Sequence, residues 1–280
     1  EPAIDLRFRV RTCLIQLGDF APILQRLREA EALARAIGDE RRLGWVHSYL
    51  CQYYSVAATP ENAVGEGRIA LDIAESLDDF ALCVATRFFL GIAYRRLGAH
   101  EDARAILLKN VDALPGDLER EHFGIAGPVA AWSRSNLVGC LAEMGQFTAG
   151  IAHGEEALRI ARDTNHSYAL AGGYVNLGYL YICQGEPQIA IDHLERGLDV
   201  SSGRDVQFMS INLRATLGHA YTLCNRLPEA EALLPQAVTE AAGRGMTYFY
   251  TLFLTRRAEL HLVSHRVEDA RREAIRALDL

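Results

Sequence analysis

Apolar, small and turn-forming residues recur along this chain in a fixed frame. Leu90-Gly91-Ile92-Ala93-Tyr94, Leu177-Gly178-Tyr179-Leu180-Tyr181 and Leu217-Gly218-His219-Ala220-Tyr221 share the pattern Leu-Gly-x-x-Tyr. A turn residue follows four positions after the Tyr, at Gly98, Gly185 and Asn225, and five further on stands Ala103, Ala190 or Ala230. In this frame units begin near residues 4, 44, 84, 131, 171, 211 and 251, at spacings of 40, 40, 47, 40, 40 and 40. Self-similarity at such a period is the signature of a stacked repeat protein.

Each column predicts a structural job. In the first helix of each unit, Leu50, Leu90, Leu137, Leu177 and Leu217 anchor the hairpin. Beside them Cys51, Gly91, Gly178, Gly218 and Ala258 let the paired helix approach, and Tyr54, Tyr94, Tyr181 and Tyr221 fill the wedge between units. Gly18, Gly98, Gly145 and Gly185 tolerate the positive φ on which a helix stops. Second helices keep a thin contact face through Ala63, Ala103, Ala190, Ala230 and Ala270, and they end near Gly38, Asp78, Asn165, Asp205 or Gly245. The prediction is an all-α solenoid of about seven helix-turn-helix repeats, a single array over residues 1–280.

The frame breaks in four places. Repeat one carries Arg11 at the small position and Ile23 at the Ala position; repeat seven carries Arg257 in the Leu column and His261 in the Tyr column. Terminal repeats of a solenoid are often atypical. The extra seven residues fall in Leu114–Pro128, bounded by Pro115-Gly116 and Gly127-Pro128, and read either as a tolerated loop or as a lid or elbow. Gly150 and Gly154 in the second helix of repeat four predict unusually close packing or local softness. The stop at Leu280, with Ala274 and Leu278 still on an apolar face, points to truncation or to an oligomeric contact such as a homodimer.

These columns resemble the tetratricopeptide repeat family over nearly the whole chain. The usual 34-residue period is lengthened here to 40 and the terminal Pro of the repeat is missing, as in a long-helix subtype of bacterial signalling ATPases and regulators. The segments Glu121-His122-Phe123-Gly124, Trp132-Ser133-Arg134, Leu141-Ala142-Glu143-Met144-Gly145-Gln146-Phe147 and Gly154-Glu155-Glu156-Ala157-Leu158 are similar to the C-terminal repeat region of multidomain bacterial cyclase–ATPase proteins. The resemblance implies a right-handed superhelix whose first helices line a concave groove. It carries over neither ATPase nor cyclase activity, because the chain has no Walker motif and no cyclase metal-binding region.

The groove positions implied by that family are aromatic and amide-rich. Candidate binding residues are Trp45, Tyr49, Phe88, Arg95, Trp132, Asn136, Asn176, Tyr179 and His219, with Gln52, Phe89, Ile92, Asn212, Thr216, Arg256 and Glu259 beside them. Asn136 and Asn176 occupy one slot in consecutive repeats, where peptide-binding members fork an Asn onto a peptide backbone. Alternatively these amides cap or bridge helices of the array. Acidic residues such as Glu29, Glu31, Glu229 and Glu231 are expected on a solvated outer face.

Composition narrows the function further. Half of the 280 residues are hydrophobic, enough for a continuous core, and the net charge is −7. Lys109 is the only lysine, so neither the basic face of a nucleic-acid binder nor a Lys-rich carboxylate clamp is present. No apolar run reaches the length of a membrane span. The six cysteines form no CxxC cluster and read as reduced small hydrophobes in a cytoplasmic protein.

No catalytic, cofactor or metal site emerges. His261 and His265 have i, i+4 spacing but lack a third ligand. The pairs Asp78-Asp79 and Glu155-Glu156 read as surface, and Gly172-Gly173 follows no strand. The expected function is therefore a non-catalytic scaffold. Its partner would be a protein or peptide in the groove, or upstream domains of a larger signalling ATPase or cyclase. A small-molecule (inducer) receptor and a free-standing oligomeric scaffold are the alternatives.

Overall fold

A computed structural model describes residues 1–202 and 206–280. Among these residues are fourteen α-helices and one short 3-10 helix, Gly116–Arg120. Seven form the first helices of hairpins: α1 (Pro2–Leu17), α3 (Glu40–Val56), α5 (Phe80–Leu97), α7 (Val129–Glu143), α9 (Ser167–Gln184), α11 (Gln207–Leu223) and α13 (Thr247–Val263). Their partners are α2 (Ile23–Ala36), α4 (Pro60–Ser76), α6 (His100–Ala113), α8 (Phe147–Asp163), α10 (Pro187–Val200), α12 (Leu227–Gly243) and α14 (Val267–Leu278). The fold is an all-α solenoid. First helices from α3 onward touch one another in succession and form the inner layer; second helices α2 to α12 each pack between consecutive first helices, and α14 packs on α13.

The columns set this packing. An ideal Cβ built on Gly91, Gly178 or Gly218 would lie 2.5, 2.5 or 2.7 Å from Leu107, Leu194 or Leu234 of the paired helix, so only glycine permits the observed approach. Tyr54, Tyr94 and Tyr221 reach back to the second helix of the preceding hairpin, where their hydroxyls bond Arg28, Arg68 and Glu195 at 2.8, 3.2 and 2.7 Å. Left-handed residues end the first helices at 18, 58, 98, 145, 185, 225 and 265, in the same frame as the repeat. Gly38, Asp78, Asn165 and Gly245 do the same after second helices; Asp205 lies outside the described residues. At Gly150 and Gly154 an ideal Cβ would meet Leu180 and Leu177 at 2.4 Å, so repeat four packs closely.

Three readings change. Glu31 is buried and bridges Arg28 and Arg35 along α2, whereas Glu29 ties α2 to α1 through Arg7 and Glu231 ties α12 to Arg266 ahead of α14, so these acidic residues do more than face solvent. Cys51, Cys83 and Cys140 are buried, whereas Cys13 and Cys183 are exposed and Cys224 is intermediate. The 114–128 insertion lies against the inner helices. Tyr49 donates to the Gly124 carbonyl at 3.2 Å and the Trp132 indole to that of Ala126 at 2.8 Å.

Solenoid repeats ordinarily meet only their neighbours. Here the array curves until its first hairpin touches the sixth. Helix α1 rests on α11 and α3 on α13. Phe20 N–H donates to the Arg244 carbonyl at 3.0 Å, and Arg244 returns a bond from Nη1 to the Leu17 carbonyl at 2.7 Å. Gly18 packs beside Phe208 and Gly245 beside Ala21, so the ring is fastened backbone to backbone.

Candidate functional site

Closure turns the concave face into a cavity of about 200 Å³. Its walls come from α1, α3, α5, α7, α9, α11 and α13, together with Ile125 and Ala126 of the insertion. Six of the nine candidate residues line it: Phe88, Arg95, Trp132, Asn136, Asn176 and Tyr179. So do Gln52, Ile92, Asn212, Thr216 and Arg256. The other three lie elsewhere. Trp45 and Tyr49 are buried beneath Gly124, where an ideal Cβ would stand 2.9 Å from the Trp45 ring. His219 pairs with Glu259 of the next repeat at 2.8 Å.

The asparagines are oriented by their own helices. Asn136 Nδ2 donates to the Trp132 carbonyl at 3.0 Å, Asn176 Nδ2 to Gly172 at 3.1 Å and to Ser135 Oγ at 3.0 Å, and Asn212 Nδ2 to Phe208 at 2.8 Å. A carbonyl oxygen accepts only from the nitrogen end of an amide, which fixes the flip. Each Oδ1 therefore remains as an acceptor with no hydrogen bond from the described residues. The helix-bridging role and an acceptor role coexist in one side chain.

Aromatic rings form the apolar walls. Trp132 stands edge to face with Tyr168 at 5.2 Å and tilted over Phe88 at 6.4 Å; Phe20 meets Phe208 at 5.5 Å. Four guanidinium groups enter between them, and burial pulls Arg11, Arg96 and Arg256 down to about 10, so all three stay charged at neutral pH. Arg95 is held protonated against its burial by Glu143, which its Nε meets at 3.2 Å.

The helix columns do not reveal Arg11, Phe20, Arg96, Tyr168, Tyr248 or Phe249, all of which line the cavity. Arg11 gave a sign, a charged side chain where other repeats hold Cys, Gly or Ala. Phe20, Tyr248 and Phe249 join the site from the end repeats, whereas Arg96 and Tyr168 stand on the middle repeats beside Arg95 and Trp132.

Histidine titration gives the fold a pH signature. Burial depresses the pKa of His153, His166, His193 and His219, and for His219 it outweighs the raising effect of Glu259. Neutral His219 donates from Nε2 to Glu259 and leaves its buried Nδ1 bare, in keeping with the absence of a partner there among the described residues. A depressed pKa means that the unfolded chain binds more protons once pH drops below about 6.5. The melting temperature should therefore hold from pH 8 to about 7 and fall on acidification toward pH 5. A flat or rising profile by circular dichroism would contradict this assignment.

Among the described residues no group of three or more His, Cys, Asp or Glu is placed to hold a metal, and no helix is long and apolar enough to cross a membrane. Residues 129–202, helices α7 to α10, match the family model described as Tetratricopeptide repeat. None of the curated proteins matches the sequence. The apo form of RapI superposes with a TM-score of 0.65 at 16% identity, over 99% of this chain and 96% of that one. NprR in complex with its cognate peptide NprX gives 0.68 at 14% identity, over 92% and 73%. A signal transduction ATPase with numerous domains and a tetratricopeptide repeat sensor, from Pyrococcus horikoshii, gives 0.54 at 15% identity. It is matched over 98% of this chain but only 41% of its own. Identities this low speak to fold.

Proposed function

We propose that this chain, a tetratricopeptide-repeat solenoid closed into a ring, is a non-catalytic recognition module that takes an extended peptide segment into its cavity. One observation carries the reading: Asn136 and Asn176, one repeat apart on the cavity wall, each present a free Oδ1 acceptor from a helix-locked amide. An extended backbone supplies N–H donors along its length, and the aromatic walls supply pockets for its side chains. The likeness to NprR, itself crystallised with a peptide, supports this choice of ligand. By the same reasoning the module is the cytoplasmic sensor array of a larger signalling protein, a role supported by the likeness to the repeat sensor of the signal transduction ATPase.

The test begins with a random peptide library screened against the whole chain by display selection. Asn136→Ala with Asn176→Ala should then weaken selected peptides roughly tenfold or more, each lost hydrogen bond contributing about 0.5–1.5 kcal/mol. Helical circular dichroism should be unchanged. Equal affinity for the double variant would overturn the reading. The enclosure of the cavity favours one second reading, a compact small-molecule ligand, in which case metabolites and not peptides would raise the melting temperature.

A further inference from the structure

The cavity runs against the charge of the molecule. The chain as a whole carries −7, yet among the side chains lining the cavity there are four guanidinium groups, Arg11, Arg95, Arg96 and Arg256, and one carboxylate, Glu143. Glu143 is already engaged, accepting from Arg95 at 3.2 Å and from the Tyr179 hydroxyl at 3.1 Å. Four positive charges less one negative leaves an excess of three inside an acidic protein.

Those three have no carboxylate within ion-pair distance among the described residues. Arg96 lies over the Tyr248 ring at 4.3 Å, has no hydrogen-bond partner among the described residues, and its buried Nη1 is left unsatisfied. Arg11 stacks on Tyr49 at 3.6 Å and donates to Gln52, while its buried Nε goes unpaired. Arg256 hydrogen-bonds the Thr216 hydroxyl at 3.1 Å and no other group among the described residues. Rings and neutral acceptors offset part of the cost of desolvating a guanidinium, and a buried charge without a counter-ion remains unfavourable. A fold that keeps three of them around one cavity, brought there from the first, third and seventh hairpins, is arranged for a negative charge that arrives from outside.

We propose that the cavity binds a carboxylate-bearing ligand, an acidic peptide segment, with its carboxylate groups received by Arg96, Arg256 and Arg11. Arg11 lies over the rings of Tyr49 and Phe89, at 3.6 and 5.7 Å, and Arg96 over those of Tyr248 and Phe249, at 4.3 and 5.0 Å; rings cover guanidinium faces, and the in-plane N–H edges match a planar two-oxygen acceptor. The Asn136 and Asn176 acceptors would take the peptide N–H groups, so the assignment rests on the groove's being a peptide site. Because the three arginines come from both ends of the array, an anion among them also holds the ring shut.

Hexapeptide pools test this by thermal shift and calorimetry on the whole chain. One pool has Asp or Glu fixed at each position in turn and the other Asn or Gln, each as free acid and as C-terminal amide; disodium succinate is the non-peptide probe. Acidic pools should bind at least tenfold tighter than neutral pools, and their affinity should fall as NaCl is raised from 50 to 500 mM. If only the free acids bind, the terminal carboxylate is the recognised group; if the amides bind equally, it is the acidic side chain. Arg96→Met should abolish the preference while melting at or above the parent, since it removes an unpaired charge and keeps the bulk. Equal binding of acidic and neutral pools, or an undiminished preference in a folded Arg96→Met, overturns the anion assignment and leaves the peptide reading standing. If no peptide binds but succinate raises the melting temperature in an Arg96-dependent way, the peptide reading fails and the carboxylate site holds. Should Arg96→Met not fold, the salt dependence of the parent decides alone.

Discussion

Phe20→Ala is expected to lower stability by about 3–5 kcal/mol, the cost of emptying a buried phenylalanine site, and to open the ring. Phe20 is 2% exposed, sits in the turn between α1 and α2, and packs on Phe208 of the sixth hairpin. Its backbone N–H is one of the bonds that fasten the first hairpin to Arg244. Loss of the ring therefore weakens the contact between distant repeats, where a mutation inside one hairpin would weaken only neighbours. Leu107→Ala is the control: Leu107 is fully buried but lies within the third hairpin, against Gly91. Both variants should lose stability by calorimetry, yet only Phe20→Ala should show a larger radius of gyration in solution scattering. An unchanged radius together with a loss below about 0.5 kcal/mol, the size of an ordinary surface effect, would mean that the closure is not what holds the cavity.

The contrast between these two residues also marks what a sequence discloses. Leu107 belongs to a hairpin whose Leu, Gly, Tyr and turn columns repeat with one period, because each column answers a local demand met identically in every unit. The left-handed stop shows this well: Ala58, Asn225 and His265 adopt positive φ where other repeats use Gly, so geometry follows the frame even where the residue type does not. Phe20 belongs to a contact with no period. Closure is the sum of small rotations between successive hairpins, and no single residue encodes a sum. Groove residues on the middle repeats, such as Phe88, Asn136, Asn176 and Tyr179, follow from helical spacing once the family resemblance says that first helices line the groove. Trp45 and Tyr49 have the same spacing, but the non-periodic insertion covers them, and His219 is held by Glu259 on the adjacent helix. Arg11 looked like decay of a terminal repeat. It is instead a cavity wall, since the first repeat has a partner that only the finished ring supplies.

The insertion provides the second large effect. Trp132→Ala should cost about 3–5 kcal/mol and loosen residues 121–127. The indole is 5% exposed and fills the angle between Tyr168 and Phe88, and Gly172 exists to admit it: an ideal Cβ there would fall 2.3 Å from Cζ3. Its Nε1 is the hydrogen bond that pins the Ala126 carbonyl, so one side chain is both core of the groove and anchor of the loop. Trp132→Phe separates the two roles, since most of the ring remains while the Ala126 carbonyl loses its donor, at about 1–3 kcal/mol if it stays buried. Amide hydrogen exchange across 121–127 should quicken in both variants, whereas α9 should lose protection only in Trp132→Ala. If exchange in that segment is the same for parent and Trp132→Phe, the loop is held by the Tyr49–Gly124 bond and the 126 contact is incidental. If it quickens as expected, the seven extra residues are part of the binding wall, and ligand selectivity should change with their sequence while the helices stay as they are.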